Sequence, residues 1–203
     1  MFKKIFTFIF LLLGMALFIS NDSEAQQKGS YPMFTISPII GVQFPVGGLN
    51  DAYNTSFNGG AEFGIRVNRE TGFFLKGGYY NMPRKDDAAV GPDASYIEIT
   101  AGPRYVFTSP KVKAQFFMEA GLGAYIWNAQ EYTIPGTSET PDLVVASTSA
   151  TLFGINAGPG VYIPLGKIAD FVIKVKIHYT FSGDPEGGER TWVAGLFGVD
   201  FKL

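Results

Sequence analysis

The sequence predicts an all-β chain: an eight-stranded antiparallel up-and-down transmembrane β-barrel preceded by a signal peptide. Three observations predict it. Apolar and polar residues alternate with a period of two in eight separate segments. The connections between those segments run long, short, long, short along the chain. Charged residues are scarce at 17% while aromatics reach 15%, a mix that needs a large apolar surface.

The first 25 residues read as a separate object. Lys3 and Lys4 form a basic start, and Ile5 to Ile19 is apolar. Ser23-Glu24-Ala25 then supplies small residues around a cut before Gln26, the layout of a secretory signal peptide. The apolar stretch is shorter than the roughly 18–20 residues of a spanning helix, so cleavage is expected rather than anchoring. The mature domain is then 26–203. After residue 25 every apolar run is interrupted by Gly, Pro or a charge. A barrel is therefore the spanning structure left, because it pairs every backbone group between strands.

The strands follow in order. In 33–44, Phe34, Ile36, Ile40, Val42 and Phe44 share a face. In 58–67, Ala61, Phe63, Ile65 and Val67 oppose Glu62, Gly64 and Arg66. In 73–82, Phe73, Leu75 and Tyr79 oppose Lys76 and Gly78. In 95–107, Ile97, Ile99, Ala101, Tyr105 and Phe107 oppose Glu98, Thr100 and Arg104. In 114–128, Phe116, Met118, Leu122 and Ile126 oppose Glu119, Gly121 and Gly123. In 151–163, Phe153, Ile155, Val161 and Ile163 oppose Gly154, Asn156, Gly158 and Gly160. The segment 171–181 is the clearest: Phe171, Ile173, Val175, Ile177, Tyr179 and Phe181 face one way, and Val172, Lys174, Lys176, His178 and Thr180 the other. A helix would spread those charges around its circumference, whereas a strand separates them. In 191–203, Val193, Phe197, Val199, Phe201 and Leu203 oppose Asp200 and Lys202.

The linkers 45–56, 83–94, 129–150 and 183–190 are the longer set, and 68–72, 108–113 and 164–170 the shorter. Outer-membrane barrels have short periplasmic turns and longer external loops. The longer set is also acidic, with ten carboxylates from Asp51 to Glu189 against Arg84, Lys85 and Arg190. Pro38, Pro103 and Pro159 lie inside strand patterns, where each removes a ladder donor. Irregular pairing or bulges are expected there, toward the end with the short turns. Aromatics near strand ends (Tyr31, Phe44, Phe57, Tyr96, Phe107, Trp127, Tyr132, Tyr162 and Trp192) are expected to form interfacial girdles.

The layout resembles the small outer-membrane β-barrel family that includes the OmpA transmembrane domain, OmpX and OmpW. The likeness covers the whole mature chain. It rests on the eight strands, the loop parity, the segments Ala101-Gly102-Pro103-Arg104-Tyr105 and Ala157-Gly158-Pro159-Gly160-Val161-Tyr162, and the last strand. The resemblance implies an outer-membrane location, contact with lipid, and recognition of the last strand by the assembly machinery. That strand keeps its alternation through Val199, Phe201 and Leu203 but ends in Leu where the family has an aromatic. No peptidoglycan-binding domain is expected after residue 203, and the protein is expected to act as a monomer.

The chemistry expected inside is a polar network of Glu62, Arg66, Lys76, Glu98, Arg104, Glu119, Lys174, Lys176 and His178, joined by Asp200 and Lys202. An eight-stranded barrel is just wide enough to be filled by side chains, and buried charges must pair. Inward glycines such as Gly64, Gly78, Gly121 and Gly123 would leave room for the long side chains. No catalytic, cofactor or metal site is expected. His178 is the sole histidine and is followed by Tyr179 and Thr180, not by the Ser of a His-x-Ser arrangement. The chain has no cysteine, and Asp86, Asp87 and Asp93 lack the spacing of a calcium loop. A net charge of −2 gives no reason to expect nucleic acid. The function expected is non-enzymatic, a structural or surface-interaction role carried by the long loops. The alternatives are a narrow channel for small or hydrophobic solutes and a soluble, lipocalin-like exported carrier.

Overall fold

The computed structural model describes residues 31–85, 91–107, 113–136, 141–181 and 190–203. The expected signal segment 1–25, the loop carboxylates Asp86 and Asp87, and the tip of the 129–150 linker at 137–140 lie outside the described residues. Eight strands close into one barrel: β1 (Met33–Val46), β2 (Ser56–Arg66), β3 (Thr71–Met82), β4 (Ala94–Phe107), β5 (Gln115–Ala129), β8 (Thr148–Pro164), β9 (Ala169–Thr180) and β10 (Arg190–Lys202). Every neighbouring pair is antiparallel, and β10 returns to β1. Closure leaves the barrel without a free edge, which is the condition for placing a sheet in lipid. A one-turn helix α1 (Gly48–Ala52) follows β1, and two short strands, β6 (Tyr132–Ile134) and β7 (Leu143–Val145), pair within the 129–150 linker. That linker is therefore strand-bearing rather than a plain loop.

The alternation in the sequence becomes two surfaces. Burial in β9 alternates strictly from Asp170 to His178, with Lys174, Lys176 and His178 buried. Outside, Ile40, Phe63, Leu75, Ile99, Leu122, Phe153 and Ile177 are all exposed large apolar residues. On β5 the outward run from Phe116 to Ile126 spans ten residue steps. At about 3.4 Å per step and a tilt of about 40°, that is roughly 26 Å of height, close to the ~25 Å apolar band of such barrels.

The prolines alter pairing without a bulge. Pro103 pairs with Phe73 on β3, but the β4–β5 ladder skips from Ala101↔Leu122 to Arg104↔Glu119 and resumes in the same register. The same skip occurs at Pro159 between Ala157↔Ile177 and Gly160↔Lys174, and at Pro38 between Ile36↔Phe201 and Ile39↔Gly198. At Pro103 and Pro159 the neighbouring backbones also approach closely. A Cβ on Gly102 would stand 1.9 Å from the Ala120 carbonyl oxygen, and one on Gly158 1.8 Å from that of Val175. Glycine is thus required beside each of these two prolines for lack of space, not for a special backbone angle.

Candidate functional site: the barrel interior

The nine residues Glu62, Arg66, Lys76, Glu98, Arg104, Glu119, Lys174, Lys176 and His178 all lie inside the barrel and all are buried. They come from β2, β3, β4, β5 and β9, so most contacts cross the lumen. Toward the short turns, Glu62 and Glu119 face Arg104, Lys174 and Lys176. Arg104 Nε donates to Glu119 at 2.7 Å, and its guanidinium also pairs with Glu62 and the Tyr162 hydroxyl. Lys174 pairs with Glu62 and stands 3.3 Å from Glu119, while Lys176 lies 2.7 Å from Glu119. Arg66 donates to Gln115 at 3.0 Å and lies over the Tyr162 ring. At the rim, Lys202 pairs with Asp170 at 2.8 Å, and Ser37 donates to Asp200.

Toward the long loops, Glu98 is the centre. It accepts from Lys76 at 2.8 Å, Tyr80 at 2.6 Å, Thr100 at 2.7 Å and Asn156 at 3.0 Å. The Tyr125 hydroxyl lies 3.1 Å from His178 Nδ1 and accepts from Asn156 at 3.0 Å. Asn156 also accepts from Lys176 at 3.0 Å, which joins the two halves into one network. Among these central charges, three carboxylates (Glu62, Glu98, Glu119) face four cations (Lys76, Arg104, Lys174, Lys176). A set this nearly balanced is what makes burial of so many charges tolerable.

Above the network the lumen is filled by rings. His178 stacks on Trp192 at 4.9 Å, Trp192 on Tyr96 at 4.8 Å, and Tyr96 packs on Trp127 at 4.5 Å. Tyr53, after α1, meets Trp127 edge-on at 5.8 Å. Leu49 and Ala52 of α1 pack against the same cluster, and Lys85 donates its backbone N–H to Ala52, tying that loop to the next. Arg190 lies 4.2 Å over the Trp127 ring. The Tyr53 hydroxyl is held above the ordinary tyrosine range by its burial, with Arg84 acting in the opposite sense.

The girdle expectation is corrected here. Tyr96, Trp127, Tyr162 and Trp192 are buried inside the barrel and do not face outward. Their parity carries that information: Tyr96 is in phase with Glu98, Trp127 with Glu119 and Trp192 with Asp200. Nearness to a strand end is the weaker guide, since only alternation determines the face. Phe57 and Phe107 do lie outside, on the exposed wall. The inward glycines divide. Gly121 leaves room for Phe74, and Gly64 for Thr35, whereas a Cβ at Gly123 would meet the backbone of Ile99. Tyr80, Tyr125, Asn156 and Tyr162 also belong to the network, although no charge in the sequence marks them for it.

Among the described residues no group of three or more His, Cys, Asp or Glu side chains is placed to hold a metal ion. Among them, too, no helix is long and apolar enough to cross a membrane, which has no bearing on crossing by strands.

No family model matches the chain, and no curated protein matches it in sequence. Solved structures do match. Neisserial surface protein A is 16% identical, with a TM-score of 0.58 over 84% of this chain and 97% of that one. A major outer membrane protein from Thermus thermophilus is 14% identical, with a TM-score of 0.57 over 84% and 99%. The N-terminal β-barrel domain of Pseudomonas aeruginosa OprF is 14% identical, with a TM-score of 0.50 over 85% and 98%. At these identities the likeness is one of architecture, and it agrees with the barrel closure, the alternating wall and the filled interior: the chain has the fold of the small outer-membrane β-barrels.

Proposed function

We propose that this protein is a non-enzymatic outer-membrane barrel with an occluded lumen, whose work is done by its long loops at the cell surface. In this reading residues 1–25 direct export and are removed. The barrel sits in lipid as a monomer, and the last strand serves its assembly. The observation that carries the reading is the filling of the interior: Lys76, Lys174, Lys176, His178, Tyr80, Tyr96, Tyr125 and Trp192 are each less than 2% exposed. The paired charges then serve as a structural plug that satisfies the inner wall, and the aromatic stack under α1 closes the long-loop end. A narrow channel would need an open polar path past both.

Two measurements test this. Purified protein in a planar bilayer should be electrically silent; steady single-channel currents would replace this reading with the channel. A Ser147→Cys variant introduces the only thiol of the chain, at an exposed residue of the longest linker. It should react with a membrane-impermeant maleimide on intact cells, and labelling only after lysis would overturn the surface role.

A further inference from the structure

The short-turn end of the barrel carries a ring of cations. Arg69 lies between β2 and β3, Lys113 between β4 and β5, and Lys167 between β8 and β9. In the strand order of the closed sheet two strands separate each of these turns from the next, so the three cations are spread around the rim. All three are exposed, and among the described residues none has a carboxylate partner. The acidic side chains described at this end are already engaged. Glu70 accepts from the Tyr105 hydroxyl at 3.2 Å, Asp170 pairs with Lys202 at 2.8 Å, and Asp200 accepts from Ser37. At the long-loop end, by contrast, Lys85 donates to the Asn50 carbonyl and Arg190 lies over the Trp127 ring. The short turns also expose apolar side chains. Ile168 beside Lys167 is 72% exposed, Leu165 is exposed two residues before it, and Val67 is exposed two residues before Arg69. The apolar wall starts at once: Phe73, two residues into β3, and Phe107, the last residue of β4, are both exposed. Two strand residues span about 7 Å, so the cations stand at the depth where Lys and Arg reach from an apolar surface to the headgroups.

From this combination we infer that the ring of Arg69, Lys113 and Lys167 binds anionic phospholipid headgroups, with Val67, Leu165 and Ile168 seated in the interfacial zone of the same leaflet. Cations spread around the whole rim do not converge on one compact soluble ligand. A leaflet surrounds the barrel and meets all of them at one depth. Basic side chains beside exposed apolar ones are what an anionic lipid surface attracts. The inference rests on the reading of the barrel as seated in lipid, but not on the state of the lumen or on which side of the membrane the long loops face.

The test uses the full chain extracted from its membrane and reconstituted in phosphatidylcholine vesicles. The chain has no cysteine, so Val67→Cys places a single fluorophore at the short-turn rim and Ser147→Cys one at the long-loop end. Each is quenched by phosphatidylglycerol or phosphatidylcholine carrying a nitroxide near its headgroup, at equal mole fraction. The expected result at Val67 is a preference for phosphatidylglycerol of about two- to fivefold, shrinking in high salt. In the triple variant Arg69→Gln, Lys113→Gln, Lys167→Gln the ratio should fall to near one, and at Ser147 phosphatidylglycerol should have no advantage. Heat-shifted gel mobility certifies the fold of each variant. Equal quenching of Val67 by the two lipids, a preference unchanged in the triple variant, or the same preference at Ser147 would overturn the inference. So would absence of lipid preference together with an acidic peptide that binds the parent and not the triple variant, which would assign the ring to a protein partner. Failure of the parent to insert and show heat-shifted mobility overturns the lipid-seated reading as well, whereas a missing preference in an inserted barrel overturns this inference alone.

Discussion

Replacing Glu119 by Gln keeps the shape of the side chain and removes one charge from the barrel centre. In the lower half of the lumen two carboxylates, Glu62 and Glu119, balance three cations, Arg104, Lys174 and Lys176. The variant leaves one carboxylate against three buried cations. Contacts at 2.7 and 3.3 Å are each worth about 5–6 kcal/mol gross at an effective dielectric near 20. Most of that is offset by the desolvation already spent in burying the charges. Removing one member of a buried pair therefore costs about 3–5 kcal/mol net, because its partners stay buried and uncompensated. Adding Lys176→Met restores the native excess of one cation, and Lys176 retains only Asn156 as a further hydrogen-bond partner in the native barrel. The double variant should recover a coupling of about 1–3 kcal/mol relative to the sum of the single changes. Urea unfolding in lipid vesicles, read by Trp192 and Trp127 fluorescence, gives all four corners of the cycle. If Glu119→Gln falls within about 0.5 kcal/mol of the parent, or if the two changes are simply additive, the ion network does not hold the interior as argued.

Other outcomes follow from the same structure. Gly102→Ala places a methyl 1.9 Å from the Ala120 carbonyl oxygen and should cost about 1–3 kcal/mol or block folding, whereas Gly77→Ala meets nothing within 4 Å and should be near neutral in the same unfolding assay. Leu122→Arg, at the middle of the exposed apolar band, should destabilise the barrel in bilayers by about 2–4 kcal/mol, while Val67→Arg at the short-turn rim should cost no more than about 1. Tyr96→Ala combined with Trp192→Ala removes the two central rings of the stack; if these rings close the long-loop end, the variant should admit small solutes in liposome swelling that the parent excludes.

Much of this architecture is legible in the amino-acid sequence. Strand number and the inward set from Glu62 to His178 follow from a local rule: successive residues in a strand face opposite ways, so period two in the sequence is period two in space. The skipped pairing at the prolines follows from a second local fact, the ladder donor that proline lacks. The four aromatics expected in the girdle but found in the lumen obey that rule too, because phase along a strand outranks nearness to its end. The extra pairing of Tyr132 with Val145 is hidden in the sequence because the linker carries only three-residue strands broken by Pro135 and Pro141.

What the sequence by itself determined is therefore which side of the wall each residue occupies. Which inward residues meet was decided by the tertiary structure alone. Lys174 of β9 reaches Glu62 of β2, and Trp192 of β10 packs against Tyr80 of β3, in each case across the lumen between strands that are not hydrogen-bonded neighbours. Those encounters depend on the stagger with which β10 returns to β1, and that stagger is a property of the closed sheet rather than of any strand.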